Sequence, residues 1–135
     1  MPAKTTSSAF LVVRTSKSIT YVFGYEPPNW NEYIGKERSN KYAAAGIKRT
    51  EKGFGVFFNR PEYRYDLGYP AQLTIRAHFA NKRRDLDNVR YKGLLDALVH
   101  CGCIENDNLS HIQKIVLEPV FDGKTLTEME ISPLK

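Results

Sequence analysis

From Ala71 to Ala80 the chain reads AQLTIRAHFA. Leu73, Ile75, Ala77 and Phe79 alternate with their neighbours, and a period of two predicts a half-buried strand. After Asn88 the period changes. Tyr91, Leu94, Leu95, Leu98 and Val99 fall at i, i+3, i+4, i+7 and i+8, which is one face of a helix running to about His100. Asp87 or Asn88 stands where its N-cap belongs and Gly102 where its C-cap does. ITYVFGY, from Ile19 to Tyr25, is β-branched and aromatic and predicts another strand. EPPNWNEY ends that strand, because two prolines cannot donate to a ladder. Asn29 or Asn31 then caps a helix expected to run to about Gly46 through Ala43–Ala45. FGVFF, Phe54 to Phe58, reads as a short strand and NRPEYRYDLGYP as a loop. IQKIVLEPVF and LTEMEI read as two last strands, with Asp122–Lys124 as a hairpin turn between them.

The order strand, helix, strand, strand, helix, strand, strand describes an α+β domain. Its expected architecture is a single mixed β-sheet with two main helices packed on one face. Residues 1–18 are weakly specified, an arm or a weak edge strand, and 19–135 form one domain. A chain of 135 residues with 41% hydrophobic positions is enough for one core.

Charge changes the picture by its placement. The net charge is +5, from 20 Lys and Arg against 15 Asp and Glu. Lys36 to Lys52 holds six basic residues and two acidic ones, and Lys82 to Lys92 five and two. Either run is compatible with a solvated face. Two runs, with Tyr33, Tyr42 and Tyr91 nearby, favour a nucleic-acid partner. The two cysteines, Cys101 and Cys103, are one residue apart, too tight for an ordinary disulfide or a zinc knuckle, so the chain reads as intracellular. No stretch approaches the roughly 18 apolar residues that span a bilayer.

The chemistry concentrates in RRDLDNVRYKGLLDAL, Arg83 to Leu98. Asp85 and Asp87 are two apart at the end of an extended segment, so both side chains leave on the same face. Carboxylates so placed repel each other unless a cation lies between them. A hard divalent ion such as Mg²⁺ prefers such oxygens. The following helix start favours a phosphate, and Lys92 lies on the flank of the apolar stripe. The plainer alternative is an Asp N-cap with surface ion pairs. IENDN offers a third acid, Asp107, if the chain folds back after the helix. Asp96, four residues from Lys92, suits an ion pair with it.

The combination of a basic run, D-L-D-N, a nearby Lys, L-D-A-L, a Gly and an acidic segment resembles the RusA-type Holliday-junction resolvases. EPPNWNEY is similar to that family's proline-proline-x-x-Asn segment, and the likeness extends from about Ile19 onward. It implies a Mg²⁺-dependent (Mn²⁺ as substitute) homodimeric endodeoxyribonuclease in the cytoplasm of a bacterial or phage-infected cell. Such an enzyme nicks four-way DNA junctions symmetrically in recombination and repair. It points to Asp85, Asp87 and Asp107 as metal-holding and catalytic acids and to Lys92 as the catalytic lysine. Lys82, Arg83, Arg84, Arg90, Lys36, Arg38 and Lys41 are the expected DNA-binding residues. The family usually shows three steps from the Asn to the Lys, whereas Asn88 and Lys92 are four apart. On a continuous helix the extra residue turns Lys92 by about 100°, which makes Arg90 the other candidate for its role. The alternative function is a non-catalytic, or fork- or flap-specific, DNA-binding protein on the same fold.

Overall fold

The computed structural model describes residues 10–39, 41–79 and 89–134, excepting the side chains of 30–32, 37, 39 and 41. Lys82, Arg83, Arg84, Asp85 and Asp87 therefore lie outside the described residues, as do the expected caps Asp87 and Asn88. Five strands form one sheet: β1 (Leu11–Arg14), β2 (Ile19–Phe23), β3 (Ala71–Phe79), β4 (Ile112–Phe121) and β5 (Thr127–Pro133). Their spatial order is β1-β2-β5-β3-β4. Three helices accompany them: α1 (Trp30–Ser39), α2 (Lys41–Gly53) and α3 (Lys92–His100). The α+β class with one mixed sheet is as expected, but the described residues form three α-helices where two main helices were anticipated.

The sheet is mixed because β3 pairs in parallel with β4 and antiparallel with β5. A parallel pair needs a long crossover, and α3 with its flanking loops provides it. This arrangement overturns the expected final hairpin. β3 lies between β4 and β5, so the Asp122–Lys124 turn joins strands that are not neighbours. Gly123 there has φ +77°, a backbone state that glycine adopts freely. At the other margin, Leu11–Arg14 pairs with Ile19–Val22 and forms the edge of the sheet.

Period two sorts the sheet into unlike faces. Ile19, Tyr21, Phe23, Leu73, Ile75, Met129 and Ile131 are buried and pack with Leu94, Leu95 and Leu98 of α3. The other face is polar. Arg76 meets Glu130 at 2.9 Å and Glu128 at 3.4 Å. His78 lies between Asp122, at 2.8 Å from its Nδ1, and Glu128.

Two local expectations fail for one reason. The helix does not stop at Gly46; α2 continues to Gly53, and Phe54–Phe58 is a 3₁₀ helix and not a strand. Phe54, Gly55 and Phe58 are buried while Val56 is 74% exposed, a helical spacing and not an alternating one. The aromatic content suits a strand, but tertiary burial decides. Gly55 allows the close approach, since a Cβ there would stand 3.0 Å from the Ala97 carbonyl oxygen of α3. Phe54, Phe58 and Tyr65 are thereby core residues. Phe57, between them, keeps substantial exposure.

Candidate active site

α3 begins at Lys92, later than the period suggests. Val89 is buried against Ala77 and Phe79 near the end of β3, and residues 89–91 are not helical. The Tyr91 carbonyl accepts the first bonds, from the Leu94 and Leu95 N–H groups at 3.0 and 3.1 Å. The extra residue between Asn88 and Lys92 thus falls before the helix. With residues 89–91 non-helical, the 100° rotation of Lys92 that a continuous helix would impose does not arise.

At its far end α3 closes with a left-handed residue, Gly102 at φ +89°. Gly102 N–H donates to the Val99 carbonyl at 3.1 Å and Cys103 N–H to the Leu98 carbonyl at 3.0 Å, the two bonds of a Schellman motif. The motif reverses the chain, and residues 101–107 run back along a helix of roughly 13 Å. Asp107 consequently reaches the opposite end of α3, where its Oδ2 lies 2.7 Å from Lys92 Nζ. Polar contacts hold the returning segment and the turn that follows it. Glu105 N–H donates to the Tyr69 hydroxyl at 3.0 Å, and the Asn108 side-chain oxygen accepts from Ser110 N–H at 3.1 Å. His111 faces Asn108 and Glu105.

Lys92 also meets Asp96 at 3.0 Å, the expected i,i+4 pair. The hydrogen bond to Asp107 holds the Lys92 ammonium above the ordinary lysine range, and Asp96 adds to it. Lys92 is therefore a fixed cation at neutral pH and not a proton acceptor. Its side chain remains 54% exposed.

Arg90 has a different environment. Its guanidinium is buried, ion-paired with Glu51 of α2 and 4.3 Å over the Tyr33 ring. Tyr25 donates to the other Glu51 oxygen at 2.9 Å. Burial pushes the Glu51 carboxyl up from its ordinary range, against the pull of Arg90 and Tyr25. So placed, Arg90 ties α3's entrance to α2 and does not present its charge to a phosphate backbone, contrary to the expected DNA-binding role. Gly93 accommodates the pair, because a Cβ there would come within 2.0 Å of Glu51 Oε1.

Between α1, α2 and α3 lies a cavity of about 500 Å³, lined in part by Tyr33, Lys48, Lys52, Arg90, Lys92 and Asp96. Lys48 and Lys52 are four apart and share a helix face. They belong to the Lys36–Lys52 basic run, and their four-residue spacing is a signal the sequence carries. Lys36 and Arg38 are exposed on α1; Lys41 begins α2. Among the described residues no group of three or more His, Cys, Asp or Glu is placed to hold a metal. Asp107 is the one described member of the expected acidic set. None of the described helices is long and apolar enough to cross a membrane. No family model matches the sequence, and no curated protein matches it.

Proposed function

We propose that the chain is a RusA-type, divalent-cation-dependent endodeoxyribonuclease that resolves four-way DNA junctions by paired symmetric nicks. The observation that carries this reading is the Lys92–Asp107 pair. These residues are fifteen apart in sequence, are both marked by the resemblance, and meet at 2.7 Å beside a cavity rimmed by Lys48 and Lys52. Asp85, Asp87 and Asp107 would hold Mg²⁺, or Mn²⁺ in its place, since three carboxylates are a donor set suited to a hard cation. The ion, when bound, supplies an activated water and neutralises phosphate charge. Lys92, fixed and cationic, stabilises charge that develops on the phosphoryl oxygens. Lys36, Arg38, Lys41, Lys82, Arg83 and Arg84 hold the flanking DNA backbone. A homodimer places two such sites on opposite strands of a two-fold symmetric junction. The site of action is the cytoplasm of a bacterial or phage-infected cell.

One observation favours the second reading, a non-catalytic DNA-binding protein: Asp96 and Asp107 together satisfy Lys92 as a surface ion pair would. The test is a labelled four-way junction with Mg²⁺, beside linear duplex, for the parent chain and Asp107→Asn. Paired nicks by the parent, lost in the variant while binding persists, support the enzyme. Tight junction binding with no nick at any Mg²⁺ concentration supports the binder.

A further inference from the structure

Cys101 and Cys103 play no part in the proposed site, yet the Schellman bend brings their sulfurs to 3.5 Å. Gly102, at φ +89°, is the hinge that points both side chains to one side of the turn. The two thiols differ in exposure. Cys103 is 2% exposed and its S–H donates to the Phe58 carbonyl at 3.1 Å. Cys101 is half-buried and lines two surface clefts, one of them shared with Arg60 and Arg64. A small oxidant can therefore meet Cys101 while Cys103 waits behind it.

We infer that Cys101 and Cys103 are a redox-modification site, an attacking thiol with a resolving thiol, that closes to an intramolecular disulfide on exposure to a peroxide. The chemistry balances. The Cys101 thiolate attacks one peroxide oxygen; an S–O bond forms, the O–O bond breaks, and the departing hydroxide takes up a proton to become water. The Cys103 sulfur then attacks the sulfenic sulfur of Cys101. An S–S bond forms, the S–O bond breaks, and the leaving hydroxide takes the Cys103 proton. Two thiols are oxidised and one peroxide is reduced to two waters. Interaction with the Cys103 sulfur 3.5 Å away lowers Cys101 to about 6, which makes it the better nucleophile of the two. Interaction with Cys101, together with burial, pushes Cys103 up. Closing the pair requires the sulfurs to approach by roughly 1.5 Å, to the usual bond length near 2.05 Å, by side-chain rotation about the glycine hinge. The one-residue spacing that disqualifies the pair as a structural staple suits a reversible bond, because so short a loop constrains the unfolded chain little. Closure also removes the Cys103 hydrogen from Phe58, so the contact between α3 and the 3₁₀ segment registers the change.

The chain has only two cysteines, so intact mass reads the outcome directly. The reduced native protein is treated with hydrogen peroxide, quenched, and labelled with N-ethylmaleimide. The expected product is a monomer lighter by about 2 Da that takes no label and regains both thiols with dithiothreitol. Cys103→Ser should stop at a dimedone-trappable sulfenic acid, heavier by about 16 Da, at Cys101. Cys101→Ser should react at least tenfold more slowly. The proposal is overturned if the parent keeps both thiols or goes mainly to sulfinic acid or to disulfide-linked dimers. It is equally overturned if Cys101→Ser consumes peroxide at the parent rate. Neither result bears on the nuclease reading, which is scored by junction cleavage.

Discussion

Arg90 and Lys92 stand two residues apart, and each meets a carboxylate from a distant part of the chain, yet they belong to different kinds of structure. The Arg90 and Glu51 side chains are 4% and 0% exposed, so both charges are removed from water and hold each other. Lys92 and Asp107 are 54% and 25% exposed, and their charges remain available to a third party. Burial, and not the nominal charge, separates a cation that holds helices together from one that can act on a substrate.

The largest effect should come from breaking the buried pair. Arg90→Met leaves Glu51 without its cation and is expected to lower stability by about 3–5 kcal/mol. The measurement is chemical denaturation followed by circular dichroism, and a loss under about 1 kcal/mol would erase the contrast. The pH dependence sharpens it. The folded value of Glu51 already lies above the unfolded one. A raised carboxyl contributes stability below the unfolded value and loses it as pH rises through the folded value. Without Arg90 the folded value rises further, so the penalty of Arg90→Met should grow as pH rises through the parent's own raised Glu51 value and shrink below it. A penalty independent of pH would mean that Glu51 is not the orphaned partner.

Lys92→Ala tests the opposite side. Unfolding free energy should change by less than about 1 kcal/mol, because the pair is exposed. Junction cleavage should fall by roughly a hundredfold, as for loss of one transition-state charge contact. A large stability loss would place Lys92 with Arg90 after all. Gly93→Ala lies between the two. Its Cβ would press on Glu51 Oε1, and about 1–3 kcal/mol of overpacking cost is expected. Because it acts through the same carboxylate, its effect and that of Arg90→Met should not add in a double-mutant cycle. Smallest of all, Asp96→Asn should cost at most about 0.5 kcal/mol by the same denaturation measurement, the usual worth of a helix i,i+4 pair. Lys92 keeps Asp107 in that variant.

These differences mark what the sequence could convey. β3 and the core of α3 were legible because their apolar spacing is a local property of the chain. The return of the chain after α3 was legible as a requirement for Asp107 to reach Asp85, though the Schellman turn that satisfies it was foreseen only through Gly102 and the contact of Asp107 with Lys92 was not foreseen. Phe54–Phe58 misled because its aromatic content matches a strand, while the face it buries is set by α3. The Arg90–Glu51 pair left no trace at all. The two residues are 39 apart, and both were counted within basic runs as if exposed. The pairing of β4 failed for a related reason: a turn motif reports that the chain reverses but not which strand it then joins. Asp85 and Asp87, the strongest local signal, lie outside the described residues, so the acidic set is represented in the fold by Asp107.

The position of β5 has a consequence for how the protein is made. Thr127–Pro133 follows the other four described strands in sequence but is the middle one in space, joining β2 on one side to β3 on the other. Until it emerges from the ribosome, the β1–β2 ladder and the β3–α3–β4 unit share no hydrogen-bonded edge. Translation at about 5–20 residues per second leaves the apolar surfaces of Ile19–Phe23 waiting on the order of 5–20 s for their partner. During that interval two open sheet edges are exposed to other nascent chains. Chaperone demand should therefore rise until the closing strand is made and fall once it has slotted between its neighbours.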